Sequence, residues 1–121
     1  MRILRTEDEL MSAFSELKKC PVLVDFFTTW CGPCKKLKPT LLKLEESGVN
    51  IVGVEVDQAN DVSEYAISEL VVKSVPDLRL FYWDEKRRAV CYVKCDEPMK
   101  CVDYDQLVKF VKKATIHATK I

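Results

Sequence analysis

The stretch VLVDFFTTWCGPC, residues 22–34, decides the fold. Its first part, residues 22–28, is a short apolar run rich in β-branched and aromatic residues, bounded by Pro21 and the later glycine. That composition predicts a buried central strand, in which Asp25 is out of place. From Cys34 to about Ser47 the pattern changes period, with Leu37, Leu41 and Leu44 on one helical face and Gly48 as the stop. Pro39 falls inside this helix and should kink it. A strand therefore passes into a helix through a turn that carries Cys31 and Cys34.

Working outward, Ile3-Leu4 supply a short first strand. Residues 6–20 start with Thr6 and place Glu9 three positions later, a capping-box pattern. Leu10, Phe14 and Leu17 then recur at helical spacing until Pro21 stops the helix. Downstream, residues 51–56 read as a strand and residues 60–71 as a helix capped by Asn60 or Asp61. After Val75-Pro76, residues 77–82 and 88–94 are strands joined near Asp84-Glu85-Lys86, and a final helix covers about Tyr104 to Thr115. The order is βαβαβαββα. Alternation up to residue 76 implies parallel pairing through crossover helices, and the last two strands an antiparallel hairpin. The expected fold is α/β, a mixed five-stranded sheet with helices on both faces.

The chain is 121 residues long, with 48% apolar and 31% charged residues, the profile of one compact domain spanning 1–121. Nineteen basic residues balance nineteen acidic ones, so no net field draws the chain to nucleic acid or to an acidic membrane. No apolar run approaches the roughly 20 residues that span a bilayer. Glu7, Asp8 and Glu9 stand where a secretion signal would need its apolar stretch, so the expected location is cytoplasmic. In a reducing compartment the six cysteines are not expected to form three structural disulfides.

Two cysteines three apart at a helix start can close a small disulfide ring with little backbone movement. Cys31 would sit beside unsatisfied backbone N–H groups at the positive end of the helix dipole. Both lower a thiol below its free value of about 8.5, and Lys35, Lys36 and Lys38 add positive charge. Cys34, inside the helix with Leu37 and Leu41, should be shielded. The two roles then separate by exposure: Cys31 attacks a substrate disulfide, and Cys34 attacks Cys31 to release the product. A permanent disulfide and half of a metal site remain as competing readings of the pair. Asp25 must lose hydration in its apolar strand, which should raise its pKa.

Trp30-Cys31-Gly32-Pro33-Cys34, taken with Asp25 and Val75-Pro76, closely resembles the thioredoxin family over roughly residues 3–113. The resemblance implies the thioredoxin-like fold and a protein-disulfide reductase with a redox-active Cys31/Cys34 disulfide. It places Asp25 behind Cys34 as a proton relay. It implies a cis Pro76 facing the cysteines, with the Val75 backbone open to a substrate peptide and Trp30, Gly32 and Pro33 as apolar contact surface. No bound cofactor or metal is implied, since the redox centre is covalent. Electrons would come from an NADPH-dependent flavoprotein, thioredoxin reductase, and go to disulfide-containing protein substrates.

Several positions depart from the family pattern. Asp77 follows Pro76 where Thr is usual, and a carboxylate beside the thiol should raise the Cys31 pKa. Gly53 stands where a strand Lys is common, leaving Asp25 less compensated. Lys94-Cys95-Asp96 replaces a glycine-bearing segment beside the substrate groove. Cys20 and Cys91 read as structural, while Cys95 and Cys101 flank a loop as exposed regulatory thiols or a second disulfide. A monomer is expected, with a disulfide-linked dimer through Cys95 or Cys101 as the other state. These departures also motivate an alternative function, a binding or scaffold module on the same fold with incidental redox activity. A metal site built from Cys31, Cys34 and two other thiols is a third reading. His117 is expected to be a solvated tail residue, Lys86-Arg87-Arg88 a solvated turn, and Tyr82 with Trp83 a weak candidate for a partner surface.

Overall fold

The structure is a computed structural model that describes residues 1–119. Five strands, β1 (Arg2–Leu4), β2 (Val22–Phe27), β3 (Ile51–Glu55), β4 (Asp77–Asp84) and β5 (Ala89–Lys94), form one sheet in the order β1-β3-β2-β4-β5. The helices are α1 (Glu7–Ser15), α2 (Gly32–Glu46), α3 (Asp61–Ser68) and α4 (Tyr104–Thr119). A 3-10 turn, Pro98–Val102, was not expected from the sequence.

Local chemistry accounts for most boundaries. Thr6 caps α1 with a full capping box to Glu9, and the Asn60 side chain caps α3 by accepting from the Ser63 N–H. Gly48 follows α2 at φ +105°, a conformation that favours glycine. Pro39 lies within α2, which runs on past it. The first helix is shorter than its apolar period, ending near Glu16 well before Pro21, and residues 16–19 continue as turns. The last helix runs four residues further than expected, to Thr119.

Side chains alternate across the sheet and so build two cores. Val22, Val24, Phe26, Val52, Val54 and Phe81 pack toward α1 and α3. Leu23, Ile51, Leu78 and Leu80 pack toward α2 and α4, with Leu37, Leu41, Leu44 and Leu107. By the same alternation Asp25 faces the α2 side, and Asp77 and Arg79 face the α1/α3 side.

One expectation is corrected. β1, β3 and β2 pair in parallel, but β4 runs antiparallel to β2. Phe26 pairs with both Val54 and Asp77, so the chain re-enters the sheet at the end where β3 left it. The alternation of strand and helix implies a parallel return only when the helix carries the chain back along the sheet. Here α3, eight residues long and about 12 Å in rise, stays at one end. As a result the end of β2, the start of α2 and the start of β4 meet at one edge.

Candidate active site

The Cys31–Cys34 pair is a disulfide, with 5.3 Å between its Cα atoms. Cys31 is the N-cap of α2, and its Sγ accepts a 3.1 Å hydrogen bond from the Cys34 backbone N–H. Pro33 in the first turn gives up no needed donor, because early helical N–H groups have no partner inside the helix. The Val75–Pro76 peptide is cis, and the Val75 carbonyl oxygen lies 4.0 Å from the Cys31 Sγ.

Taken as whole residues in the disulfide, the two cysteines are equally buried, where the sequence predicted that Cys34 alone would be shielded. Cys31 is 6% exposed and Cys34 5%. They differ in what they face. Cys31 borders an open groove of about 550 Å³, walled by Trp30, Gly32, Pro33, Ile67, Val72 and Val75. Cys34 lines a separate cavity of about 240 Å³ together with Asp25, Thr28 and Lys38. Thr28 lines both spaces, and its buried hydroxyl has no protein partner. Trp30 stands 71% exposed at the rim, held by a 2.9 Å bond from its Nε1–H to Asp57 Oδ2. These positions bring together all eight residues singled out in the sequence: Asp25, Trp30, Cys31, Gly32, Pro33, Cys34, Val75 and Pro76.

Asp25 is 3% exposed, and its Oδ1 has no protein hydrogen-bond partner. Burial raises its pKa from 3.8 to about 7; Lys38 pulls against that rise and Asp77 adds to it. Lys38 therefore supplies part of the compensation that the missing strand lysine does not. Gly53 pairs directly across from Asp25. A Cβ added there would lie 2.8 Å from Ile3 Cδ1 and 3.1 Å from Phe27 Cε1, so a side chain at this position must displace its neighbours.

Asp77, expected from the sequence to bear on Cys31, is held in an ion pair that the sequence reading did not foresee. Its carboxylate is buried and forked by Arg79, with Nε to Oδ1 at 2.9 Å and Nη2 to Oδ2 at 3.0 Å. Lys94 Nζ adds a contact of 3.5 Å to Oδ2. The charge is thus paired with two cations. Arg79 also donates from Nη1 to the Leu70 carbonyl and stacks near Phe26 and Tyr92. The sequence reading missed Lys38 as a cation that lowers the Asp25 pKa, Asp57 as the anchor of Trp30, and Arg79. An arginine two residues from Asp77 on one strand face was the available signal for the last.

Among the other thiols, Cys20 is exposed and Cys91 half-buried, rather than core. Cys95 and Cys101 are buried, not exposed, so neither is presented for a disulfide-linked dimer. Among the described residues no group of three or more His, Cys, Asp or Glu converges as a metal site, so the four-thiol set is not assembled. His117 is exposed on α4, edge-on to Tyr82 at 6.1 Å. No helix among the described residues is long and apolar enough to cross a membrane.

The thioredoxin family model matches residues 3–113. The chain belongs to the thioredoxin family. Thioredoxin from Mycoplasmoides gallisepticum is 38% identical over 88 residues, covering 71% of this chain and 81% of that protein. Thioredoxin from Pongo abelii is 44% identical over 61 residues, which cover 50% of this chain and 56% of the relative, so that match spans about half of its length. The X-ray structure of Fasciola hepatica thioredoxin superposes with a TM-score of 0.68 at 26% identity, covering 94% of this chain and 99% of that one. The family's chemistry is thiol–disulfide exchange, and the bonded Cys31–Cys34 pair is consistent with it.

Proposed function

We propose that this protein reduces disulfides in protein substrates, with Cys31 as the attacking sulfur, Cys34 as the resolving one and Asp25 as the proton acceptor. The observation that carries this reading is that the two cysteines line two different spaces, Cys31 a broad groove beside Val75 and Cys34 a smaller cavity that it shares with the Asp25 carboxyl.

In the reduced chain the Cys31 thiolate, held by the Cys34 N–H at the start of α2, attacks one sulfur of the substrate disulfide. The substrate bond breaks, one substrate thiolate leaves, and a mixed disulfide remains on Cys31. The Cys34 thiol then gives its proton to Asp25, directly or through water, and attacks the Cys31 sulfur. This releases the second substrate thiolate and regenerates the Cys31–Cys34 disulfide. A carboxyl poised near 7 is well matched to that proton transfer at neutral pH. The Val75 backbone and the faces of Trp30, Gly32 and Pro33 offer strand-like and apolar contacts to an extended segment of substrate.

Electrons reach the disulfide from thioredoxin reductase, an NADPH-dependent flavoprotein; family membership supports this assignment. The location proposed is cytoplasmic, a reducing compartment in which the exposed Cys20 thiol stays unpaired. Recovery of the tagged chain from an oxidising compartment would contradict it.

The test of function is turnover of a disulfide-bonded protein with a dithiol as regenerant. Cys31→Ser should abolish it, and Asp25→Asn should slow it by about 10²-fold at neutral pH. Wild-type turnover in Cys31→Ser would overturn the mechanism.

A further inference from the structure

Cys95 and Cys101 have buried sulfurs 3.7 Å apart. Cys95 directly follows β5, where its backbone N–H is fixed to the Leu78 carbonyl at 2.8 Å. Cys101 lies in the 3-10 turn, tied to α2 by the Thr40 hydroxyl donating to the Val102 carbonyl at 2.7 Å. Both backbones are thus anchored, and a disulfide would need the sulfurs to close by less than about 2 Å. The Cys31/Cys34 chemistry uses neither sulfur.

We propose that Cys95 and Cys101 form a second dithiol–disulfide couple, oxidised by hydroperoxide and independent of Cys31 and Cys34. The two thiols are not equivalent. A hydrogen bond from Cys101 and one from the Glu97 backbone hold the Cys95 thiol below its ordinary value, against burial and the charges of Asp96 and Glu97. The same pairing, with burial, pushes the Cys101 thiol well above the ordinary range. Cys95 is therefore the thiolate and Cys101 the proton-bearing partner. Cys95 is also the more exposed of the two, 6% against 2%, and lies between exposed Lys94 and exposed Asp96. Two thiols this deeply buried are within reach of a two-oxygen oxidant but not of a protein disulfide, which must bring its own backbone to the sulfur.

The Cys95 thiolate attacks one peroxide oxygen, the O–O bond breaks, and the leaving hydroxide takes a proton to become water. Cys95 is then a sulfenic acid. The Cys101 sulfur attacks the Cys95 sulfur, its proton leaves with the hydroxyl as a second water, and the disulfide forms. Two thiols are oxidised by two electrons and one peroxide is reduced to two waters. The bond would tie the end of β5 to the turn before α4, next to the strand that begins at Asp77.

The test uses the full reduced chain treated with hydrogen peroxide, alkylated while denatured and cut with trypsin. Cleavage after Lys94, Lys100 and Lys109 separates residues 95–100 from residues 101–109, so only a disulfide can keep them together. We expect the joined pair, two hydrogens lighter than the separate peptides, both in the wild type and in Cys31→Ser/Cys34→Ser. Cys101→Ser should yield Cys95 as a sulfenic acid captured by dimedone. Separate, fully alkylated peptides from wild-type chain in which Cys31–Cys34 has already oxidised would overturn the proposal. So would a joined pair seen only when Cys31 and Cys34 are present, because the oxidising equivalents would then come through that disulfide.

Discussion

As pH rises above 4, the folded chain keeps a proton that the unfolded chain has begun to release, because burial lifts Asp25 from 3.8 to about 7. A carboxyl whose folded pKa is raised favours folding in its protonated form. Its contribution is greatest below 4, shrinks as pH climbs, and has turned into a full penalty above 7. Carrying a carboxyl over that interval corresponds to on the order of 4 kcal/mol. Asp25→Asn should therefore flatten the pH dependence and exceed the oxidised wild type in stability at pH 8, by about 2–4 kcal/mol, while differing little at pH 4. Denaturant melts at the two pH values decide it; parallel pH slopes for the two proteins would show that Asp25 is not a buried, proton-holding group. The same residue was visible in the sequence as a lone carboxylate in VLVDFF. The charge that offsets it was not, because Lys38 acts on it from the next element across a shared cavity, and residue spacing along the chain carries no information about that distance.

The strand that faces Asp25 is fitted to it by absence of a side chain. Gly53 on β3 leaves the room occupied by Ile3 and Phe27. Gly53→Ala pushes on the tip of half-buried Ile3 and the ring edge of half-buried Phe27, so it should cost about 1 kcal/mol, the low end for overpacking, read as a lower denaturation midpoint. An unchanged midpoint would mean that Ile3 and Phe27 yield freely. Element identity was legible wherever local rules act alone: the Thr6–Glu9 capping box, the Asn60 cap, the apolar period of α2 and the hairpin of β4 and β5 all follow from neighbours in the chain. Direction was less so. That β4 runs against β2 depends on α3 and residues 69–76 remaining at one end of the sheet, a tertiary outcome that alternation of patterns does not encode. The 3-10 turn at Pro98–Val102 was missed for a related reason, since a five-residue segment shows no full helical period.

At the scale of the molecule, one edge gathers the N-terminus of α2, the end of β2 and the start of β4, and two cores hold those pieces in place. Arg79 ties that edge to the chain leaving α3, through Asp77 and the Leu70 carbonyl. Arg79→Leu leaves the buried Asp77 carboxylate with only Lys94, and should destabilise the protein by about 3–5 kcal/mol, a large part of what a domain of this size has. A loss below about 1 kcal/mol in chemical denaturation would mean that Lys94 or solvent replaces the guanidinium. The same gathering makes two equally buried cysteines unequal, one lining the groove and one the Asp25 cavity. The direct measurement is iodoacetamide alkylation of the reduced chain at pH 7, followed site by site by mass spectrometry. Cys31 should be modified at least several-fold faster than a free model thiol and Cys34 far more slowly. Equal rates at the two positions, or a Cys34 that reacts first, would contradict the assignment of attacking and resolving sulfur.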